Sequence, residues 1–126
     1  MTTERFERGL AARKAVLGEE YVEANLAAAD DFNREFQEMV TEFCWGFGWA
    51  DETLSRRDRS LINLGMIAAL GRMNEWEIHF RGAMTNGLSR DELRSVLHQI
   101  TIYAGVPAGV ECFRIARRVL ADLDAE

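Results

Sequence analysis

Residues 77–97, EIHFRGAMTNGLSRDELRSVL, carry a stop signal and a start signal for a helix within four positions. Asn86-Gly87 ends an apolar-periodic stretch, because a glycine there can take the left-handed conformation that closes a helix. Ser89 followed three residues later by Glu92 is a capping box, in which each residue satisfies a backbone N–H of the other's turn. The spacing therefore predicts one helix over about 74–85 and another over 90–103.

Working outward, the same grammar recurs. Gly105-Val106-Pro107 is the next joint, and Pro107 suits the first turn of a final helix over 107–123. On the other side, Ser55 and Asp58 resemble a second capping box, opening a helix to about Leu70 that Gly71 ends. CWGFGWADETL, residues 44–54, has two glycines among three aromatics and reads as a loop or helix end. A long helical stretch is expected from about Glu20 to Phe43, with a break near Asp30, Asp31 and Asn33, residues that favour caps and turns. The first helix covers 4–17, with Phe6, Leu10, Ala11, Val16 and Leu17 on one face and Gly18 at its end. One proline and no alternating strand pattern complete an all-α expectation: a compact bundle of about six helices in one domain, 1–126.

Composition narrows the classes of function. With 48% hydrophobic and 29% charged residues the chain is globular rather than disordered. A net charge of -6 argues against a nucleic-acid binder, which needs a basic face. The longest apolar run, LINLGMIAAL at 61–70, is far short of the roughly 20 residues that span a membrane. The N-terminal TTERFERGLAARK lacks the apolar core of a signal peptide, so a soluble, cytoplasmic protein is expected. The two cysteines, Cys44 and Cys112, are too far apart in the chain for a CxxC or a metal-ligand pattern and read as reduced thiols.

Chemistry concentrates in RMNEWEIHF, residues 72–80. Glu75 and His79 stand at i and i+4, so their side chains are neighbours. A carboxylate there can orient the imidazole and raise its pKa, making His79 a proton donor near neutral pH. Arg72, a turn earlier, can hold an anionic group. The alternative is a surface Glu–His pair beside a solvated arginine. His98, in VLHQI, has no acid one turn away and reads as a partly buried histidine bonded to backbone. Among the arginines of SRRDR, Arg59 is the best carboxylate clamp, against the alternative of a solvated basic turn. Trp45 and Trp49, at i and i+4, read as core or interface packing or as a substrate wall. No metal site is expected, since no HxxxH or HExxH pattern exists.

The order WGFGW (45–49), RSLINLGMIAAL (59–70), EIHFRGAMTNGLSRDELRSVL (77–97) and YAGVPAGVECFRIA (103–116) resembles the carboxymuconolactone decarboxylase family. GLAARKAVLGEEYV and DFNREFQEMVTE extend the likeness over nearly the whole chain. The resemblance implies an alkylhydroperoxidase D-like fold and cofactor-free loss of CO2 from 4-carboxymuconolactone, giving β-ketoadipate enol-lactone in aromatic catabolism. It implies a small anionic lactone as substrate, and a homo-oligomer, a hexamer or trimer of dimers. The redox enzymes of that superfamily place two cysteines where this chain has Arg72 and Glu75, and a glutamate where it has Ser60. Thiol peroxidase chemistry therefore lacks its essential groups at those positions. The roles implied are His79 as proton donor, or as hydrogen-bond donor to the dienolate, with Glu75 orienting it, and Arg72 and Arg59 as carboxylate anchors with Arg81 a weaker one. Trp45, Trp49 and Phe80 would form an apolar wall, and Tyr103 a hydroxyl donor to the lactone or a packed tyrosine at a helix end. The alternatives are action on a different small lactone or enol acid, or a redox or non-catalytic oligomeric protein.

Overall fold

The structure, a computed structural model, describes residues 2–126. Every regular element among them is helical: α1 (Glu4–Leu17), α2 (Glu19–Ala27), α3 (Arg34–Met39), a π-helix (Val40–Trp49), α4 (Arg56–Leu70), α5 (Met73–Thr85), α6 (Arg90–Ala104) and α7 (Val106–Asp124). The contacts divide the chain into two compact units, one ending at Arg56 and one covering Arg57–Glu126.

In the first unit, α1 is capped by Thr3, whose side chain accepts from the Phe6 N–H at 3.0 Å. The break expected near Asp30 exists, and side chains make it. Asp30 Oδ1 accepts from the N–H groups of Phe32 and Asn33, while Asn33 Oδ1 accepts from the Asp30 N–H at 2.8 Å. Such local bonds give the backbone an alternative to the helical ladder. Of the two readings of 44–54, a loop or a helix end, the helix end holds: the stretch is π-helical through Trp49. Gly46 within it is used for packing, not for turning. A Cβ on Gly46 would sit 2.4 Å from the Arg5 carbonyl oxygen, and one on Gly9 would sit 2.1 Å from that of Thr41. The two backbones thus touch where both side chains are missing. Around that contact Ala12, Val16, Trp45 and Trp49 form the unit's core, the two indoles stacked at 5.0 Å.

In the second unit the expected signals operate. The capping box at Ser89 is complete, with Glu92 N–H donating to Ser89 Oγ at 3.1 Å and Ser89 N–H donating to the Glu92 carboxylate at 3.0 Å. Gly87, at φ 99°, takes the left-handed turn after α5. The core gathers Leu64, Trp76, Phe80, Leu97 and Val119 from four helices, and burying each large apolar side chain is worth about 1.5–3 kcal/mol. Among the described residues no helix is long and apolar enough to cross a membrane.

Candidate active site

The site is built from α4 and α5. Trp76, fully buried, donates from Nε1 to the Leu64 carbonyl at 3.1 Å and stacks on Phe80 at 5.2 Å. Ten residues on, Asn86 donates from Nδ2 to the buried Ser60 hydroxyl at 2.9 Å. These two bonds fix α5 along α4. His79 lies between their attachment points in the chain, and Arg59 adjoins one of them. A short polar bond and a buried indole bond define position better than apolar packing alone, because each loses a partner if the helices slide.

On this frame Glu75 is exposed in the first turn of α5, where the helix dipole favours a carboxylate. His79, one turn later, is partly buried, with Nδ1 shielded from solvent. Glu75 does favour the charged imidazole, as its spacing implies. Burial outweighs it, and the net pKa of His79 falls below the ordinary 6.5. The expectation of a raised pKa is thereby corrected: at neutral pH the unliganded site holds a neutral imidazole, a hydrogen-bond donor at one nitrogen and an acceptor at the other.

The arginines differ in how they are engaged. Arg72 caps α5, is exposed, and forms none of the ion pairs among the described residues. Arg59, on α4, is partly buried. Arg81 is shared between Glu77 and Asp122, at 3.7 Å from each. Two nearby carboxylates leave it less able to take a third.

The aromatics are placed as follows. Trp45 and Trp49 are 5% and 8% exposed in the core of the first unit, and Phe80 is buried in the core of the second. Tyr103 is 82% exposed at the end of α6, beside a shallow apolar depression lined by Gly65, Ala69 and Ile100. Of the two readings of this tyrosine, the packed one does not hold within this chain, where the ring is open. His98 is likewise exposed rather than partly buried, its ring tilted against Phe113 at 5.8 Å. Cys112 is buried on α7, and burial pushes its thiol up to about 11, away from thiolate chemistry. Ser60 and Asn86 are the positioning residues that sequence reasoning passed over. Asn86 reads as a helix stop, and only its neighbour in space shows that its amide also holds α4.

A partly shielded histidine one turn from a carboxylate, with an arginine at the start of the same helix, makes this a candidate site for acid–base work on a small anion. Residues 34–118 match the carboxymuconolactone decarboxylase family. The chain is 38% identical over 120 residues to a 4-carboxymuconolactone decarboxylase of Acinetobacter baylyi, covering 95% of this chain and 90% of that one. It is 37% identical over 118 residues to a nitrosuccinic acid decarboxylase of Metarhizium robertsii, covering 94% of this chain and 82% of that one. This protein belongs to the carboxymuconolactone decarboxylase family.

Proposed function

We propose that the protein removes CO2 from 4-carboxymuconolactone, yielding β-ketoadipate enol-lactone. The His79–Glu75 pair carries this reading, in a chain related along 95% of its length to an enzyme of that name. In such a lactone the leaving carboxylate sits on the ring carbon γ to the carbonyl, and a C=C bond conjugated with the carbonyl adjoins that carbon. As the C–CO2 bond breaks, its electron pair moves through that bond into the carbonyl, giving a dienolate. The substrate is its own electron sink, so the chemistry requires no cofactor.

The protein's tasks are then to hold two carboxylates, stabilise the dienolate and return a proton to carbon. Arg72 and Arg59 are the anchors we assign, their forked donors matching a carboxylate, with Arg81 a weaker third. His79 donates a hydrogen bond to the dienolate oxygen, where pre-aimed donors are most effective. A bound dianion favours the imidazolium, offsetting the burial that depresses the pKa of the empty site, and so equips the same group to deliver the proton. Glu75 orients the ring. Trp45 and Trp49, packed in the core of the first unit, are left out of this reading, and Tyr103 serves as an exposed hydroxyl donor.

The same reading takes residues 1–126 as one domain of alkylhydroperoxidase D-like architecture, the family match running across both compact units. It takes the protein as cytoplasmic, acting in the protocatechuate branch of aromatic catabolism. It also takes it as a homo-oligomer, a hexamer or trimer of dimers, which the exposed aromatics of α3 and the π-helix support.

A second reading, a different small acid as substrate, is favoured by the nitrosuccinic acid relative. There the nitro group is the internal electron sink, so the requirement on the protein is similar. Both are tested by offering 4-carboxymuconolactone and nitrosuccinate separately and following CO2. The lactone is expected to be turned over with the higher kcat/KM, and His79→Gln to lower kcat by about 100-fold or more with the helical circular dichroism unchanged. No turnover of the lactone by the wild type would overturn the first reading. Wild-type rates in a folded His79→Gln protein would overturn the role given to His79.

A further inference from the structure

Helices α6 and α7 touch at Gly109, where a Cβ would lie 2.1 Å from Thr101 Oγ1. Beyond that contact they leave an open groove of about 1020 Å3. One stretch of its wall is apolar and bare, with Ile102, Val106 and Val110 at 72%, 63% and 60% exposure. Apolar surface gathered in a concavity, rather than scattered, is the usual mark of a binding site.

The other end is cationic. Arg114, Arg117 and Arg118 line it, together with the exposed His98, and no acidic residue does. Arg118 is held by Glu77 at 2.7 Å. Arg114 and Arg117 form no ion pair among the described residues. This is notable in a chain with 21 acidic and 15 basic residues, where acids are the more abundant partner. Two uncompensated guanidinium groups beside an apolar wall match one kind of ligand, an anionic head on an apolar body.

We propose that the α6–α7 groove binds an amphiphilic carboxylate, its head on Arg114 and Arg117 and its body along Ile102, Val106 and Val110. This site involves none of the residues assigned to decarboxylation, and the inference does not depend on that assignment.

Decanoate serves as the probe, with decanol supplying the tail alone and acetate the head alone. Titrations of the full-length protein are followed by calorimetry and by backbone amide shifts. Saturable decanoate binding is expected, with shifts on α6 and α7. Decanol should bind about tenfold more weakly or worse, acetate should not bind at the same concentrations, and Arg114→Gln/Arg117→Gln should lose about tenfold for decanoate. Both arginines are exposed, so that variant keeps its core. Decanol binding as tightly as decanoate, an undiminished affinity in the double variant, or shifts confined to other helices would each overturn the proposal. So would decanoate binding only after dilution has dissociated an oligomer, which would identify the groove as covered by a second copy of the chain.

Discussion

At the scale of single residues, His79 is governed by two opposing influences of known sign. Burial disfavours the imidazolium and Glu75 favours it, burial being the larger. Removing the smaller influence must therefore push the midpoint further in the same direction. In an NMR titration of the unliganded protein, the His79 ring should titrate below 6.5, and lower still in Glu75→Gln. An unchanged or raised midpoint in that variant would show that the carboxylate does not act on the ring. The shift also ties stability to pH. The unfolded chain takes up the proton at the ordinary 6.5 and the folded one only at lower pH. Stability from the neutral ring is thus complete above 6.5 and is lost as pH falls through the folded midpoint. Thermal melts of His79→Gln should accordingly lose part of the decline that the wild type shows on acidification through that window. The pairing itself was legible in the sequence, because i and i+4 on a helix are neighbours whatever surrounds them. The sign of the net shift was not, since burial depends on which helices pack around α5.

At the scale of elements, the WGFGW motif shows how identical residues two positions apart do different things. A Cβ on Gly46 would meet the Arg5 backbone oxygen at 2.4 Å, and backbone cannot rotate away as a side chain can. A Cβ on Gly48 meets nothing closer than the Phe43 oxygen at 4.0 Å. Gly46→Ala should therefore destabilise the protein by about 3 kcal/mol, toward the upper end of overpacking costs. Gly48→Ala should be neutral, or stabilising by up to about 1 kcal/mol through helix propensity. Urea unfolding of the two variants separates these outcomes, and equal effects would mean that α1 and the π-helix do not meet as closely as described. Sequence reasoning takes both glycines as breakers because glycine in isolation favours turns. Whether a missing side chain frees a backbone or admits a neighbour is decided by the packed partner. The caps at Ser89 and Gly87 were readable for the opposite reason: every bond involved lies within a few residues.

At the scale of the whole molecule, the surface left uncovered is as informative as the core. Phe32, in the turn before α3, and Phe36, Met39, Phe43 and Phe47, on α3 and the π-helix, recur three or four residues apart, and all are exposed, Phe32 at 97% and Phe47 at 70%. Arg5 reaches over the rings of Phe43 and Phe47, at 5.7 and 5.8 Å, which shields only part of them. In the folded chain the indoles of Trp45 and Trp49 occupy the inner side of the π-helix and the phenylalanines are left outside. A stripe of this length is unusual on a monomeric protein. It is accounted for if a second copy covers it, consistent with the proposed homo-oligomer and with the commonness of closed symmetric assemblies. Sedimentation of the wild type should then give a mass well above the 14.3 kDa of one chain. Phe36→Ser/Phe47→Ser removes two exposed rings without touching the core, so its far-ultraviolet circular dichroism should be retained while its mass falls toward the monomer. A wild type that sediments as a monomer would remove the explanation. An unchanged assembly in the double variant would move the interface to another face. Activity measured on the dissociated variant then tells whether one chain holds a complete site, since a site shared between chains would lose turnover in step with the loss of mass.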